Sequence, residues 1–160
     1  MLPLRDPAPI LLFGHGYWGK NIARNLYAMG ALAGVCESDP VQRVVVQERF
    51  PSVPTFATAD DALDRSDAVA VAISTPAATH ATLAHRCLTA GRDVFVEKPL
   101  ALTVHDGETL VDTAERHGRI LMVGHLLEYH PAVVALRRLV EEGHLGTLQY
   151  LYSNRLNLGK

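Results

Sequence analysis

The sequence predicts an α/β fold, a doubly wound parallel sheet with strand order 3-2-1-4-5-6. Three observations predict it. A short apolar strand runs directly into Gly14-His15-Gly16-Tyr17-Trp18-Gly19, which opens a helix. Strand and helix patterns then alternate about six times, as in sheets with helices on both faces. Ala68 to Ile73 (AVAVAI) is a continuous apolar run, the pattern of a central strand covered on both sides. Right-handed crossovers between parallel strands leave that strand order as the leading topology.

The elements follow in order. Strand one is Ala8 to Phe13. Helix one runs from Tyr17 to Met29, with Trp18, Ile22, Leu26 and Met29 on one face at helical spacing, and Gly30 ends it. Ala31 to Glu37 is strand two, where Gly34 is a mild weakness. Asp39 caps the next helix with Pro40 in its first turn, and Val41, Val44 and Val45 are its expected buried face. Val53 to Phe56 is a short strand and Ala59 to Arg65 a short helix. After strand four, Ser74-Thr75-Pro76 is expected to cap a helix that turns Ala81, Ala84, Cys87 and Leu88 inward and stops at Gly91. Asp93 to Val96 is strand five. Thr103, with Asp106 three residues on, starts a helix that ends at Gly118. Ile120 to Val123 is strand six. Pro131 opens a last helix that uses Val134, Leu136, Leu139 and Val140 and stops at Gly143.

Leu148 to Leu158 alternates, with Leu148, Tyr150, Tyr152, Leu156 and Leu158 on one face. It reads as an amphipathic strand of an open antiparallel sheet. The expected organisation is a nucleotide-binding domain over 1–145 and the start of a second domain over 146–160, the rest of it missing.

Composition sets the class. Of 160 residues, 48% are hydrophobic and 20% charged, and the net charge of −2 without a basic run gives no sign of nucleic-acid binding. No apolar stretch approaches the roughly 20 residues of a membrane span. Met1 to Pro9 carries three prolines and no apolar core of a signal peptide. Cys36 and Cys87 form no C-x-x-C pair and read as reduced core residues, so a cytoplasmic location is expected.

The glycine fingerprint carries the chemistry. Gly14 permits the tight turn, Gly16 lets a pyrophosphate approach the backbone, and Gly19 lets helix and strand pack closely. The helix N-terminus offers unpaired N–H groups to phosphate. Glu37 lies 18 residues after Gly19, at the end of strand two. A carboxylate there accepts from the adenosine ribose hydroxyls and repels a 2′-phosphate, so NAD is favoured over NADP. Arg43 is the nearest arginine that could blur this preference. Ser74, Thr75 and Pro76 lie at the carboxyl end of strand four, where ligands bind in open sheets.

Glu97-Lys98-Pro99 ends strand five. An ionic pair there is costly unless used or compensated. Lys98 would emerge at the carboxyl edge, able to polarise or deprotonate a substrate hydroxyl, with Glu97 orienting it and Pro99 stiffening the turn. His125, Glu128 and His130 follow strand six, and either histidine could approach a substrate. Their spacing is not that of a zinc helix, and no metal is expected.

The segments GHGYWG, VCESDP, ISTPAATH and VFVEKPLAL together resemble the glucose–fructose oxidoreductase / inositol dehydrogenase / MocA family of NAD(P)-dependent oxidoreductases. GYWGKNIARN, VGHLLEYHPAV and YSNRLNLGK resemble the branch that oxidises UDP-N-acetyl sugars at C3. The resemblance implies that Gly14, Gly16 and Gly19 hold the pyrophosphate and that Tyr17 and Trp18 line the cofactor loop. It implies that Glu37 holds the ribose and that Ser74, Thr75, Pro76, His80, Glu97 and Lys98 border the cofactor. Lys98 would be the family's catalytic lysine. His125, Arg155, Asn157 and Lys160 would lie on the substrate side, with a nucleotide sugar as substrate. The family's usual catalytic histidine and acid lie in a second domain, so this chain alone has an incomplete catalytic set. A homo-oligomer is expected at full length. Glu37 stands where an aspartate is common. A non-catalytic NAD(H)-binding module and a related sugar or polyol dehydrogenase are the alternative readings.

Overall fold

The computed structural model describes residues 7–154, which form two compact units divided after Gly124. In the first, six parallel strands order as β3-β2-β1-β4-β5-β6, the order the sequence predicts. They are β1 (Ile10–Phe13), β2 (Leu32–Cys36), β3 (Thr55–Phe56), β4 (Ala70–Ile73), β5 (Asp93–Val96) and β6 (Leu121–Val123). The helices between them are α1 (Gly19–Ala28), α2 (Pro40–Arg49), α3 (Ala59–Arg65), α4 (His80–Thr89) and α5 (Val104–His117).

The pleat sorts the strand residues onto two faces. Leu11, Phe13, Val71, Ile73, Val94 and Val96 join one apolar cluster, with Ala84, Cys87, Leu88 and Leu110 from α4 and α5. Leu12, Val35 and Ala72 join the other, with Ala23, Leu26, Val46 and Phe50. A register shift between Ile10 and Leu11 marks the β1–β2 pairing. Gly34 has a packing reason: a Cβ there would lie 2.8 Å from the Phe56 ring and 3.2 Å from Leu11.

Two caps form as expected. Asp39 accepts from Val41 N at 2.8 Å. Thr103 accepts from Asp106 N at 3.1 Å and donates to the Asp106 carboxylate at 2.7 Å. Other expectations are corrected. On α2, Val41, Val44 and Val45 face solvent, and the inward residue is Val46. The run Val44-Val45-Val46 does not identify its inward member, because one residue turns a helix by about 100°. On α1, Gly19, Ala23 and Leu26 are buried, whereas Trp18 and Met29 at the ends of the expected face are exposed. Ser74-Thr75-Pro76 does not cap α4. A short 3₁₀ turn, Ala77–Thr79, intervenes, and Thr79 precedes α4 without a side-chain cap.

The second unit holds a 3₁₀ turn, Leu126–Tyr129, and α6 (Pro131–Glu141). Val134, Leu136, Leu139 and Val140 of α6, the apolar residues that the sequence assigns to this helix, are exposed. Residues 148–154 form no strand, and a lone extended segment without a paired neighbour has no ladder to join. The rest of that expected strand, with Arg155, Asn157 and Lys160, lies outside the described residues. No helix among the described residues is long and apolar enough to cross a membrane.

Candidate functional site

Each strand hands its chain to a loop at the carboxyl edge, and hydrogen bonds align these loops in a row. Glu37 N donates to Phe56 O at 2.9 Å, Gly14 N to Cys36 O at 2.8 Å, and Ser74 N to Phe13 O at 2.8 Å. Glu97 N donates to Ile73 O at 2.9 Å and Gly124 N to Val96 O at 2.8 Å. The first residue past each strand except β3 is thus tied to the end of its neighbour. The order reverses between β1 and β4, which puts Gly14 and Ser74 at the switch point where open sheets bind ligands.

The glycines differ in what a side chain would meet. Gly14 has φ +86°, and a Cβ would lie 2.8 Å from Ser74 O. At Gly19 a Cβ would sit 2.1 Å from Gly14 O, so the α1 start and the β1 loop are in direct contact. At Gly16 nothing lies within 4 Å of that position. Two glycines therefore close the loop on itself, and the third leaves open space beside bare backbone. This fits a pyrophosphate approaching the N-terminus of α1. Tyr17 and Trp18 flank that space and are exposed at 77% and 40%.

Glu37 is half-buried. Its Oε2 accepts His15 N at 2.7 Å, and its Oε1 accepts Asp39 N at 3.0 Å, with the Ser38 hydroxyl at 3.4 Å. Arg43 does not pair with this carboxylate. Its guanidinium donates to the carbonyls of Glu37 and Ser38, each at 2.8 Å. The His15 ring is wholly buried, with the Gln42 side chain as its polar neighbour. Burial first, then the Lys20 charge, lowers its pKa from 6.5; the Glu37 carboxylate opposes them. Sequence reasoning passed over this side chain because it occupies a variable position of the fingerprint.

At the other end of the row, the strand pleat separates Glu97 from Lys98. Glu97 is buried and Lys98 exposed, and they form no ion pair. The expectation that Glu97 orients Lys98 through a pair is corrected. Glu97 Oε1 is buried without a partner. Gly124 shelters it: a Cβ there would lie 3.1 Å from that oxygen. The Lys98–Pro99 peptide is cis.

Between these ends, Thr79 donates its hydroxyl hydrogen to Pro76 O at 2.8 Å, so the Thr75 hydroxyl donates to Thr79 at 2.7 Å. Pro76 is exposed. His80 is buried beneath the loops, with Nδ1 2.7 Å from Pro99 O and Nε2 2.9 Å from Thr75 O. The row thus brings Gly14, Gly16, Gly19, Glu37, Ser74, Thr75, Glu97 and Lys98 to one edge. His125 belongs to the second unit, where it is exposed and precedes the 3₁₀ turn. There Glu128 pairs with Arg137, and His130 caps α6 by accepting Ala132 N at 3.2 Å. Among the described residues no group of three His, Cys, Asp or Glu side chains is disposed to hold a metal.

Comparison with known proteins places this geometry. A relative from Mediterraneibacter gnavus, 2,7-anhydro-N-acetylneuraminate hydratase, is 30% identical over 145 residues, covering 90% of this chain and 38% of that protein. UDP-N-acetylglucosamine 3-dehydrogenase of Acidithiobacillus ferrooxidans is 29% identical over 150 residues, covering 91% of this chain and 44% of that protein. The chain thus spans less than half the length of these relatives. The WlbA dehydrogenase of Chromobacterium violaceum, solved with NADH and UDP-GlcNAcA, superposes with a TM-score of 0.84 at 27% identity. That match covers 89% of this chain and 42% of the other. Residues 9–125 match the family described as "Oxidoreductase family, NAD-binding Rossmann fold". The chain therefore belongs to the glucose–fructose oxidoreductase / inositol dehydrogenase / MocA family, as its NAD-binding Rossmann domain.

Proposed function

We propose that this chain is the cofactor half of an NAD-dependent dehydrogenase that oxidises a UDP-N-acetyl sugar at C3, with Lys98 as its catalytic lysine. The observation that carries this reading is the end of β5. A buried carboxylate oxygen without a partner and an exposed amine without an ion pair stand in the same row as the glycine loop. The similarity to a UDP-N-acetylglucosamine 3-dehydrogenase supports the substrate class.

NAD, when bound, supplies the hydride acceptor. Gly14, Gly16 and Gly19 hold its pyrophosphate, Tyr17 and Trp18 line the loop, and Glu37 accepts from its ribose. Ser74, Thr75 and Pro76 border its nicotinamide half, and Glu97 Oε1 offers an acceptor there. The Lys98 amine takes the hydroxyl proton as the sugar C–H bond gives up its hydride, and the C–O bond becomes a carbonyl. His125, Arg155, Asn157 and Lys160 contribute on the substrate side. A second domain, beginning near residue 146, completes the catalytic set, and the whole works as a cytoplasmic homo-oligomer.

The test is Lys98→Ala in the intact protein, assayed for NADH formation with UDP-N-acetylglucosaminuronic acid. Turnover is expected to fall about 100-fold or more, with NADH affinity within about twofold of wild type. Undiminished turnover removes Lys98 from the mechanism. The hydratase among the relatives favours a second reading, in which Lys98 moves the proton for gain or loss of water. Product analysis separates the two, because only the dehydrogenase leaves an oxidised sugar and net NADH.

A further inference from the structure

Gly124 stands opposite the buried carboxyl of Glu97. β5 and β6 pair in register, with Phe95 beside Met122 and Val96 beside Val123. The next step along both chains sets Glu97 beside Gly124, and Gly124 N donates to Val96 O at 2.8 Å. A Cβ at Gly124 would lie 3.1 Å from Glu97 Oε1, 3.2 Å from its Cδ and 3.1 Å from Phe95 Cζ. These approaches are tighter than ordinary van der Waals contact, so a side chain here and the carboxyl compete for one space. Backbone conformation gives no reason for a glycine, because Gly124 is not among the glycines with positive φ. Both backbones are pinned, Gly124 to β5 and Glu97 to β4, where its N–H donates to Ile73 O at 2.9 Å. The Glu97 side chain is therefore what an added methyl would move.

The displacement matters because of Oε1. Glu97 is 8% exposed, and this oxygen has no hydrogen-bond partner. A buried acceptor without a donor is costly, and the cost is relieved when a ligand N–H or O–H arrives where the oxygen is held. We propose that Gly124 is a positioning residue: the space left by its missing side chain seats the Glu97 carboxyl, and so sets where Oε1 receives an N–H or O–H of the bound cofactor. The effect on binding rests on the reading of Glu97 as an acceptor for the cofactor; the seat itself does not.

The experiment is a double-mutant cycle in the intact protein. NADH Kd is read by titration, and the Glu97 carboxyl carbon is observed by ¹³C NMR. In Gly124→Ala the Glu97 signal is expected to shift and the NADH Kd to rise about tenfold. In the Glu97→Ala background, adding Gly124→Ala should change the NADH Kd by less than about twofold, because the carboxyl it displaces is gone. Equal losses in both backgrounds mean that Gly124 acts without Glu97, and overturn the proposal. An unmoved Glu97 signal in folded G124A overturns it as well. If G124A does not fold, wild type decides: a through-space ¹³C correlation between Gly124 Cα and Glu97 Cδ is expected, and its absence overturns the seat. If Glu97→Ala leaves NADH affinity intact, the cofactor reading of Glu97 fails, while the carboxyl signal in G124A still reports on the seat.

Discussion

Glu37 Oε2 accepts the backbone N–H of His15 at 2.7 Å, so the carboxylate at the end of β2 also holds the middle of the glycine loop. Asp39 N fixes its other oxygen at 3.0 Å. A carboxylate held at both oxygens points its remaining lone pairs in set directions. Glu37→Ala is expected to weaken NADH binding about tenfold or more, as the loss of a charge-assisted hydrogen bond does, and to reduce the preference over NADPH. Calorimetric titration with both cofactors checks this. An unchanged ratio of affinities removes Glu37 from selectivity.

The glycines give a paired expectation. Gly19→Ala drives a methyl to 2.1 Å from Gly14 O, where only backbone could yield. A loss of about 3 kcal/mol is expected in urea unfolding. Gly16→Ala meets nothing within 4 Å. Its stability should stay within about 0.5 kcal/mol of wild type, while NADH affinity falls at least about tenfold as the methyl enters the pyrophosphate space. Equal stability losses in both would contradict the open side of the loop.

His15 makes the fold sensitive to acid. Burial holds its folded pKa below 6.5, so the unfolded chain takes up a proton that the folded ring resists. Its contribution is fully present above pH 6.5 and is lost as pH falls toward the folded value. The stability gap between wild type and His15→Phe should therefore shift against wild type between pH 7.5 and 5.5, read from urea midpoints. A gap independent of pH would exclude His15 as the source.

The two thiols work in the opposite sense. Burial pushes Cys36 up to about 11 and Cys87 up to about 12, from 9.0. Folded protein at pH 8 is expected to resist a disulfide-exchange reagent, and both thiols should react on denaturation. Above pH 9 the unfolded chain loses these protons first, so this contribution to stability declines as pH rises toward 11. Rapid labelling of either thiol in the folded protein would contradict its burial.

The strand order was legible because it depends on patterns that survive in one dimension: apolar runs, glycine stops, and caps such as Asp39-Pro40 and Thr103. The glycine loop was legible for the same reason, since Gly14 and Gly19 are demanded by backbone contact. Helix faces were harder. One step along Val44-Val45-Val46 changes which side chain is buried, and only the sheet decides. Gly34 looked like a defect until Phe56 lay across it. His80 was marked by its motif, but its partners are Thr75, five residues back, and Pro99, nineteen residues on. No local pattern announces a ring set between two loops. The alternation that begins at Leu148 suggests a strand, yet over residues 148–154 none forms, because a strand exists only where a neighbour completes its hydrogen bonds.

Arg43 sets a condition on any attempt to re-engineer cofactor choice. Its guanidinium is already engaged with the carbonyls of Glu37 and Ser38. On the proposed contact of Glu37 with the ribose, neutralising this carboxylate removes the repulsion toward a 2′-phosphate without releasing a cation to receive it. Pulling Arg43 away would uncap the two carbonyls that anchor α2 to the end of β2. An NADP-preferring version therefore needs a newly introduced positive side chain, with Arg43 left as a strut.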